Sequence, residues 1–318
     1  MAIKNANTFE TFDAVNVPEQ VLDGIKMYER EETPIYSSAK KKKIKTETPE
    51  WQTQALASAG DNINAQGDEF GVDAVTPTVR VKNHTQILRK IVSVTGTNQA
   101  VDHYGYASQM KNAMKLKMIE IRRDAERAIV QNNPSVAASS GTGGELAGVE
   151  TWVTSNVSRG TSGAGTGYNS GTGVTAAPTD GDQRAFTEDL LLGVLQTGYD
   201  NGANFGVMHL GSHNKRVMAG FSGNATRFST DSKMASNTID FYEGPFGTKK
   251  IAVAINPRQR TRSALLYDMD SIACLELRPM QTGDIAKTHD SKEKFVLTEF
   301  TTQVNEKGLG IVADLTTS

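Results

Sequence analysis

The chain has 318 residues, of which 37% are hydrophobic and 22% charged, a composition typical of a globular protein with one or two domains. Its formal net charge of −2 gives no general attraction toward nucleic acid or an acidic membrane surface. No apolar run approaches the roughly 20 residues that a membrane helix needs, and the first residues lack the apolar core of a signal peptide. We therefore predict neither a membrane span nor export.

Residues 1–43 are predicted to form an N-terminal arm. A proline followed by apolar residues predicts one short helix at residues 18–25, and Pro34 lies beyond its end. The arm closes with the four lysines Lys40–Lys43. Two interpretations of this run are a contact for nucleic acid or an acidic partner, and a solvated, self-repelling segment. No aromatic or arginine residue alternates with the lysines as stacking would require, which favours the solvated segment.

Residues 44–95 are predicted to form a long β-hairpin, with two extended arms and a polar tip at residues 57–77. The hairpin contains few large apolar side chains, and an isolated two-stranded hairpin is marginally stable in water. The rest of the chain offers no obvious mate, so we expect a second copy of the protein to complete it. Trp51 is then either an interlocking contact with that copy or a residue packed within its own subunit.

The next segment predicts one long helix at residues 103–132, roughly 45 Å in length. Apolar or small residues recur at steps of three and four, which places them on one helix face. These residues are Ala107, Met110, Met114, Met118, Ile121, Ala125 and Ala128. On another face, Arg122 and Glu126 are spaced to form an ion pair across one turn.

Glycine, serine, threonine and alanine dominate residues 137–184, where Trp152 is the one large anchor. The run 163–167 resembles a phosphate-binding loop, but the Gly-Lys-Ser or Gly-Lys-Thr that ends a Walker A loop does not follow. A mobile surface loop or a partly ordered insertion is the favoured interpretation.

The remaining sequence predicts a compact region of mixed helices and strands. Thr187 is placed to begin a helix whose packing face is Leu191, Val194, Leu195 and Gly198. A short helix is expected at residues 214–221. Strands are expected at 205–210, 248–255, 263–267 and 272–277, with a final hairpin of 294–304 and 309–315 around 305–308.

The sequence contains few features of an active site. His209 and His213 have the spacing of a metalloprotease pair, but the glutamate of that motif is absent, and Leu210 and Gly211 favour a strand that passes into a loop. No Gly-x-Ser-x-Gly elbow is present. The single cysteine, Cys274, lies in a predicted buried strand and is interpreted as a core residue. We predict no catalytic residues, no cofactor and no metal.

The order of these features resembles the major capsid (head) proteins of tailed bacteriophages, which have the Hong Kong ninety-seven type fold. Short motifs support the resemblance in the same order along most of the chain. They are Glu32-Thr33-Pro34, Glu50-Trp51-Gln52-Thr53, Asn83-His84-Thr85-Gln86-Ile87, Val92-Ser93-Val94-Thr95, residues 120–126, residues 144–152 and residues 285–290.

The resemblance implies an α+β fold with peripheral and axial domains. Its parts would be an N-terminal arm (1–43), an extended loop (44–95), a peripheral domain with a spine helix (96–136 and 268–318) and an axial domain (137–267) that includes the glycine-rich segment 137–184.

The implied function is that of a structural protein that assembles into an icosahedral shell around double-stranded DNA. Pentamers and hexamers of the chain would form the virion shell in the host cytoplasm, with no sequence-specific DNA binding and no membrane. The arm is too short for a scaffolding domain, so the resemblance implies a separate scaffold protein as well as a portal. Contacts between subunits are expected at Trp51, Arg80, Asn83 and Gln86. A tail-tube or fibre protein and a hydrolase are the alternatives.

Overall fold

The computed structural model describes residues 29–67, 69, 71–72, 74–103, 105–221, 240–246, 250–287 and 289–317. The helix predicted at residues 18–25 lies outside the described residues. The described chain is a mixture of helices and strands, in agreement with the predicted α+β class.

The helices of the described chain vary from one turn to six. In chain order they are α1 (Pro34–Ser38), α2 (Gly96–Ala100), α3 (Gln109–Val130), α4 (Val149–Trp152), α5 (Glu188–Asp200) and α6 (Ser212–Met218). A 3₁₀ turn follows at Glu306–Gly308.

Most strands of the described chain belong to two sheets. The strands are β1 (Lys40–Lys43), β2 (Glu50–Thr53), β3 (Val79–Lys82), β4 (Gln86–Thr95), β5 (Val157–Ser158), β6 (Tyr168–Asn169), β7 (Val174–Thr175), β8 (Val207–Leu210), β9 (Phe241–Tyr242), β10 (Ile251–Ile255), β11 (Ala264–Tyr267), β12 (Ile272–Asp284), β13 (Ser291–Val304) and β14 (Leu309–Val312).

The long helix α3 packs on one face of a four-stranded sheet whose strand order is β1-β12-β13-β4. Its apolar face contacts Val92, Val94 and Val296 of that sheet. The predicted face is confirmed at five buried positions, which are Met110, Met114, Ile121, Ala125 and Ala128. The helix begins at Gln109 and not at residue 103, so Ala107 precedes it and is exposed.

The predicted ion pair between Arg122 and Glu126 is wrong. Glu126 is fully buried, and its carboxylate accepts hydrogen bonds from the backbone N–H groups of Ile35 and Tyr36 at 3.1 and 2.7 Å. The side-chain amide of Asn256 donates a third bond at 2.6 Å. Burial raises the pKa of Glu126, and these donors oppose the rise. Glu126 thereby holds α1 of the arm against α3.

The hairpin predicted at residues 44–95 is only partly correct. Strands β2 and β3 do pair, with Trp51 opposite Val81. The second predicted arm then leaves the hairpin, because β4 pairs along ten residues with β13, from Gln86 opposite Phe300 to Thr95 opposite Ser291. The chain therefore supplies a mate for this strand, contrary to the sequence-based expectation.

The second sheet has six strands in the order β5-β14-β11-β8-β10-β9. Helix α5 packs on it through its predicted face of Leu191, Val194, Leu195 and Gly198, all buried. The hairpin predicted from 294–304 and 309–315 is wrong: β13 belongs to the four-stranded sheet, whereas β14 lies between β5 and β11 of this one. The short turn at Glu306–Gly308 carries the chain from one sheet to the other.

The glycine-rich segment 137–184 is built into the body of the subunit, so its prediction as a mobile or partly ordered insertion is wrong. Trp152 is buried and stacks on Tyr168 with ring centroids 5.7 Å apart. Asn156 is also buried, and its side-chain amide donates to the backbone oxygen of Leu309 at 2.9 Å. These contacts join the segment to the edge of the six-stranded sheet.

Strands β1 and β4 form the two edges of the four-stranded sheet. All four lysines of β1 are exposed, as the solvated interpretation predicted. Lys40 forms an ion pair with Asp270 at 2.6 Å, and Lys41 with Glu276 at 3.1 Å. None of the described helices combines the length and the apolar character of a membrane-spanning segment.

Candidate assembly surfaces

The loop between β2 and β3, residues 54–78, is the most exposed part of the described chain. Its described residues contain no helix or strand. Four large aliphatic side chains in it are between 85% and 99% exposed, and these are Leu56, Ile63, Val72 and Val75. Single exposed apolar residues are common on protein surfaces, but four large ones on one segment make this loop a candidate contact surface.

The base of this loop is attached to its own subunit through Trp51. The indole ring of Trp51 lies 5.6 Å from that of Trp152, measured between ring centroids, and Trp152 in turn stacks on Tyr168. Of the two interpretations of Trp51, the structure therefore supports packing within the subunit. Its indole Nε1 is buried without a hydrogen-bond partner, and the ring lines an open cleft of about 320 Å³ together with Lys42 and Gln303.

Asn83 is fully buried, so the structure gives it a role inside the subunit and not between subunits. Its Nδ2 donates to the backbone oxygen of Thr302 at 3.0 Å. Its Oδ1 accepts from the backbone N–H groups of His84 and Ala147, at 2.9 and 3.1 Å. A side chain enclosed in this way cannot touch a second copy, and the expectation for Asn83 is corrected accordingly.

The remaining two predicted contact residues differ in accessibility. Gln86 begins β4, is half-buried, and accepts a hydrogen bond from the backbone N–H of Leu146 at 3.5 Å, so it faces its own subunit. Arg80 lies on β3 and forms a cross-strand ion pair with Glu50 at 3.4 Å, with most of its side chain exposed. An exposed pair of this kind contributes little to the stability of the subunit, which leaves Arg80 available to a neighbour.

A second apolar surface lies on the four-stranded sheet, on the face opposite α3. Because side chains alternate along a strand, the burial of Val92 and Val94 against α3 turns the odd positions of β4 outward. Ile87 and Ile91 there are 53% and 48% exposed. Ile91 stands opposite Phe295, and Arg89 opposite Leu297, both of which are half-buried. We call Ile87, Ile91, Phe295 and Leu297 the outer sheet face.

The histidines do not form a metal site in the described chain. His209 lies on β8, where its Nε2 is 2.9 Å from the hydroxyl of Tyr267, whereas His213 lies on α6. The expected strand end at Leu210 is confirmed, but Gly211 is the N-cap of α6, so the strand leads into a helix and not into a loop. Across the described residues, no group of three or more histidine, cysteine, aspartate or glutamate side chains is placed to hold a metal ion. Cys274 is fully buried, as predicted for a core residue.

The family model of the SU10 major capsid protein matches residues 3–316. The chain belongs to the SU10 major capsid protein family. This is a family of structural capsid proteins, and the membership confirms the resemblance to phage major head proteins. It decides between the capsid hypothesis and the tail-tube or fibre alternative, in favour of the capsid.

Known capsid proteins agree with this assignment. The major capsid protein of Escherichia phage Phieco32 is 32% identical over 127 residues, which is 40% of this chain and 36% of that protein. The match thus spans about a third of this curated relative.

Two solved capsid structures show the same fold over nearly the whole chain. The capsid of cyanophage A-1(L) has a TM-score of 0.67 at 11% identity, covering 96% of this chain and 98% of that one. The capsid of a native GTA particle has a TM-score of 0.64 at 10% identity, with the same coverage. The predicted Hong Kong ninety-seven type fold is confirmed. The domain boundaries drawn from the sequence remain predictions.

Sequence reasoning missed the residues that fix these surfaces. The outer sheet face depends on which side of β4 meets α3, and the position of Trp51 depends on Trp152, about a hundred residues away. Only residues 92–95 of β4 alternate apolar and polar side chains. Adjacent apolar pairs at 87–88 and 91–92 hide the period of two that a strand with one buried face shows.

Proposed function

We propose that the protein is the main building block of an icosahedral shell that encloses double-stranded DNA, with its copies grouped in pentamers and hexamers. The observation that carries the proposal is a pair of apolar surfaces on one subunit, loop 54–78 and the outer sheet face. Within the described chain the loop is uncovered and the outer sheet face is only half covered. Family membership supports assembly as a capsid. The two surfaces are the contacts that we propose between copies.

In the proposed contact, loop 54–78 of one subunit lies across the outer sheet face of its neighbour. Full burial of a large aliphatic side chain contributes about 1.5–3 kcal/mol, so the four exposed residues of the loop would contribute roughly 6–12 kcal/mol before the cost of ordering the loop. One such contact is modest and reversible. Many contacts around a closed shell add up, which makes the complete shell dissociate very slowly.

The near-neutral charge supports a container rather than a DNA-binding protein. Contacts with phosphate add steeply in affinity, and a lining that held DNA tightly would oppose its packing and release. A formal charge of −2 supplies no such lining overall. The proposed particle is a virion assembled in the host cytoplasm, with a separate scaffold protein and a portal as partners and without an enzymatic activity in this chain.

Removal of the loop tip tests the proposal. Deletion of residues 57–77 leaves a short connection between β2 and β3, so we expect a folded subunit that no longer forms shells in negative-stain images. A matched pair of substitution variants separates apolar contact from loop length. The variant with serine at Leu56, Ile63, Val72 and Val75 should fail to assemble, whereas a control with serine at Asn62, Asn64, Gln66 and Thr76 should assemble normally. Normal shells from the deletion variant would contradict the proposed contact.

A further inference from the structure

Strand β4 carries two neighbouring cations that lie on opposite sides of the four-stranded sheet. Lys90 faces α3, where its ammonium group forms ion pairs with Asp124 at 2.9 Å and Glu120 at 3.6 Å. Because side chains alternate along a strand, Arg89 lies on the other side, among the residues of the outer sheet face. Arg89 is exposed and forms no ion pair with any described residue. Of the two cations, only Lys90 is neutralised by the described part of the subunit.

Apolar side chains stand next to Arg89 on this face. Ile87 and Ile91, two residues away on either side of it, are 53% and 48% exposed. Leu297 lies directly opposite Arg89 on β13 and is half-buried. A guanidinium group in these surroundings loses water when another molecule covers the face. Its charge then requires an anion from the covering molecule, because an unpaired buried charge is strongly destabilising.

The carboxylate at the adjacent register position is already engaged by other donors. Glu299 of β13 stands opposite Ile87. Its Oε2 accepts a hydrogen bond from Arg278 Nε at 2.6 Å, and its Oε1 accepts one from the hydroxyl of Thr85 at 3.1 Å. Glu299 and Arg278 balance each other in charge. Together with Arg89 they carry one positive charge on this side of the sheet.

Loop 54–78 has the complementary charge, since it contains carboxylates but no lysine, arginine or histidine. Its carboxylates are Asp61, Asp68, Glu69 and Asp73. Asp61 is exposed and forms no ion pair with the described part of the chain, and Ile63, two residues further on, is 86% exposed. In an extended segment these two side chains lie on one face, about 6–7 Å apart. Arg89 and either isoleucine beside it on β4 have the same spacing, so an acidic and an aliphatic side chain of the loop match a basic and an aliphatic side chain of the sheet.

We propose that the carboxylate of Asp61 from a second copy of the chain pairs with Arg89 and fixes the register of loop 54–78 on the outer sheet face. The inference rests on the proposed contact between this loop and this face, to which it adds one specific ion pair. Apolar contact alone is non-directional and leaves the position of the loop along β4 undetermined. A guanidinium group and a carboxylate form two parallel hydrogen bonds of fixed geometry, and this pair therefore selects one position.

Reversal of the two charges tests the pair. Arg89→Glu brings two carboxylates together, so the concentration of the full chain at which shells form should rise at least about 30-fold, measured by light scattering and negative-stain imaging. Asp61→Lys should have the same effect. The double variant, Arg89→Glu with Asp61→Lys, restores the pair with reversed charges and should form shells near the wild-type concentration. The control Lys115→Glu makes an equal change of charge at an exposed position of α3 and should assemble as the wild type does.

Wild-type assembly of Arg89→Glu would overturn the ion pair, and so would a double variant that assembles no better than the single variants. Because Arg89 is exposed in the subunit, Arg89→Glu should unfold in urea as the wild type does, which separates a loss of assembly from misfolding. The variant with serine at the four aliphatic positions of the loop distinguishes this inference from the proposed contact. If that variant fails to assemble while Arg89→Glu forms normal shells, the ion pair alone is refuted. If the serine variant itself forms normal shells, the contact is refuted as well.

Discussion

Loop 54–78 and the glycine-rich segment 137–184 have similar compositions and opposite structures. Both are rich in small and polar residues, and the sequence favours little fixed structure for either. The glycine-rich segment is held by Trp152, Asn156 and Glu150, all of which are buried, and Arg260 donates a hydrogen bond to Glu150 at 3.0 Å. The loop exposes its large aliphatic side chains almost completely.

The difference shows that a few anchors decide the structure of a glycine-rich segment, and that its average composition does not. Ordering the segment costs about 1–2 kcal/mol of conformational entropy for each residue. The packing of one indole ring and a set of ion pairs offset this cost. Among the described residues, loop 54–78 has apolar side chains but no partner that covers them. Its anchors are expected on another molecule.

The largest expected effect comes from removing the aromatic anchor that serves both regions. Trp152 contacts Trp51 at the base of the loop and Tyr168 in the glycine-rich segment. Trp152→Ala should lower the free energy of unfolding of the subunit by about 3–5 kcal/mol, because it leaves a large cavity. Leu56→Ala, in the loop, should change it by no more than about 0.5 kcal/mol. Urea denaturation measures the free energy of unfolding of both variants. Equal decreases in the two variants would show that the two regions do not differ in how they are anchored.

An intermediate effect is expected from acid. Burial lowers the pKa of His209 to about 4, whereas loop 54–78 contains no histidine. Above the unfolded pKa of about 6.5 the stability is unaffected by this group. As the pH falls from there toward 4, the unfolded chain takes up a proton that the folded chain refuses, and about 3 kcal/mol is lost.

Urea denaturation between pH 7 and pH 4.5 checks this prediction. His209→Gln should flatten the decline in unfolding free energy, while His213→Gln, on α6, should leave it as in the wild type. An identical decline in His209→Gln and wild type would show that the buried histidine is not its cause.

The smallest effect on stability, and the sharpest test of the loop, comes from paired cysteines. The only native cysteine, Cys274, is buried and should not react. A Val75→Cys and Ile91→Cys double variant should form a ladder of cross-linked oligomers under mild oxidation, with an unfolding free energy within about 0.5 kcal/mol of the wild type. The control is Val75→Cys with Lys115→Cys, since Lys115 is exposed on α3 at the opposite face of the sheet. Similar ladders from the two double variants on non-reducing gels would show that the loop does not bind specifically at the outer sheet face.

Periodicity predicted the helices well. The faces of α3 and α5 follow from apolar residues at steps of three and four, and both faces are buried as expected. Polar partners did not follow from the same rule. Glu126 has the spacing of an ion pair with Arg122, yet it accepts hydrogen bonds from the backbone of α1, because a helical repeat carries no information about a segment ninety residues away.

Strand pairing was predicted less well for a similar reason. Neighbouring strands β13 and β14 suggest a hairpin, but each satisfies its hydrogen bonds in a different sheet. Asn83 looks like a surface residue in the sequence, and only the fold reveals that Thr302 and Ala147 enclose it. The proposed surfaces lie partly in the predicted segment 44–95, in loop 54–78 and β4, and partly on β13, which joins β4 through a long-range pairing.

The two edges of the four-stranded sheet have one further consequence. A second copy that approached β1 would meet four exposed lysine side chains, of which Lys40 and Lys41 are ion-paired within the subunit, and lysines on an edge strand discourage strand pairing. Strand β4 carries no such run of lysines along its ten residues. Edge-to-edge pairing of sheets into an endless fibre requires that both edge strands of every sheet accept a partner strand. In this sheet only the β4 edge lacks a run of lysines, so edge-to-edge growth would stop at two molecules.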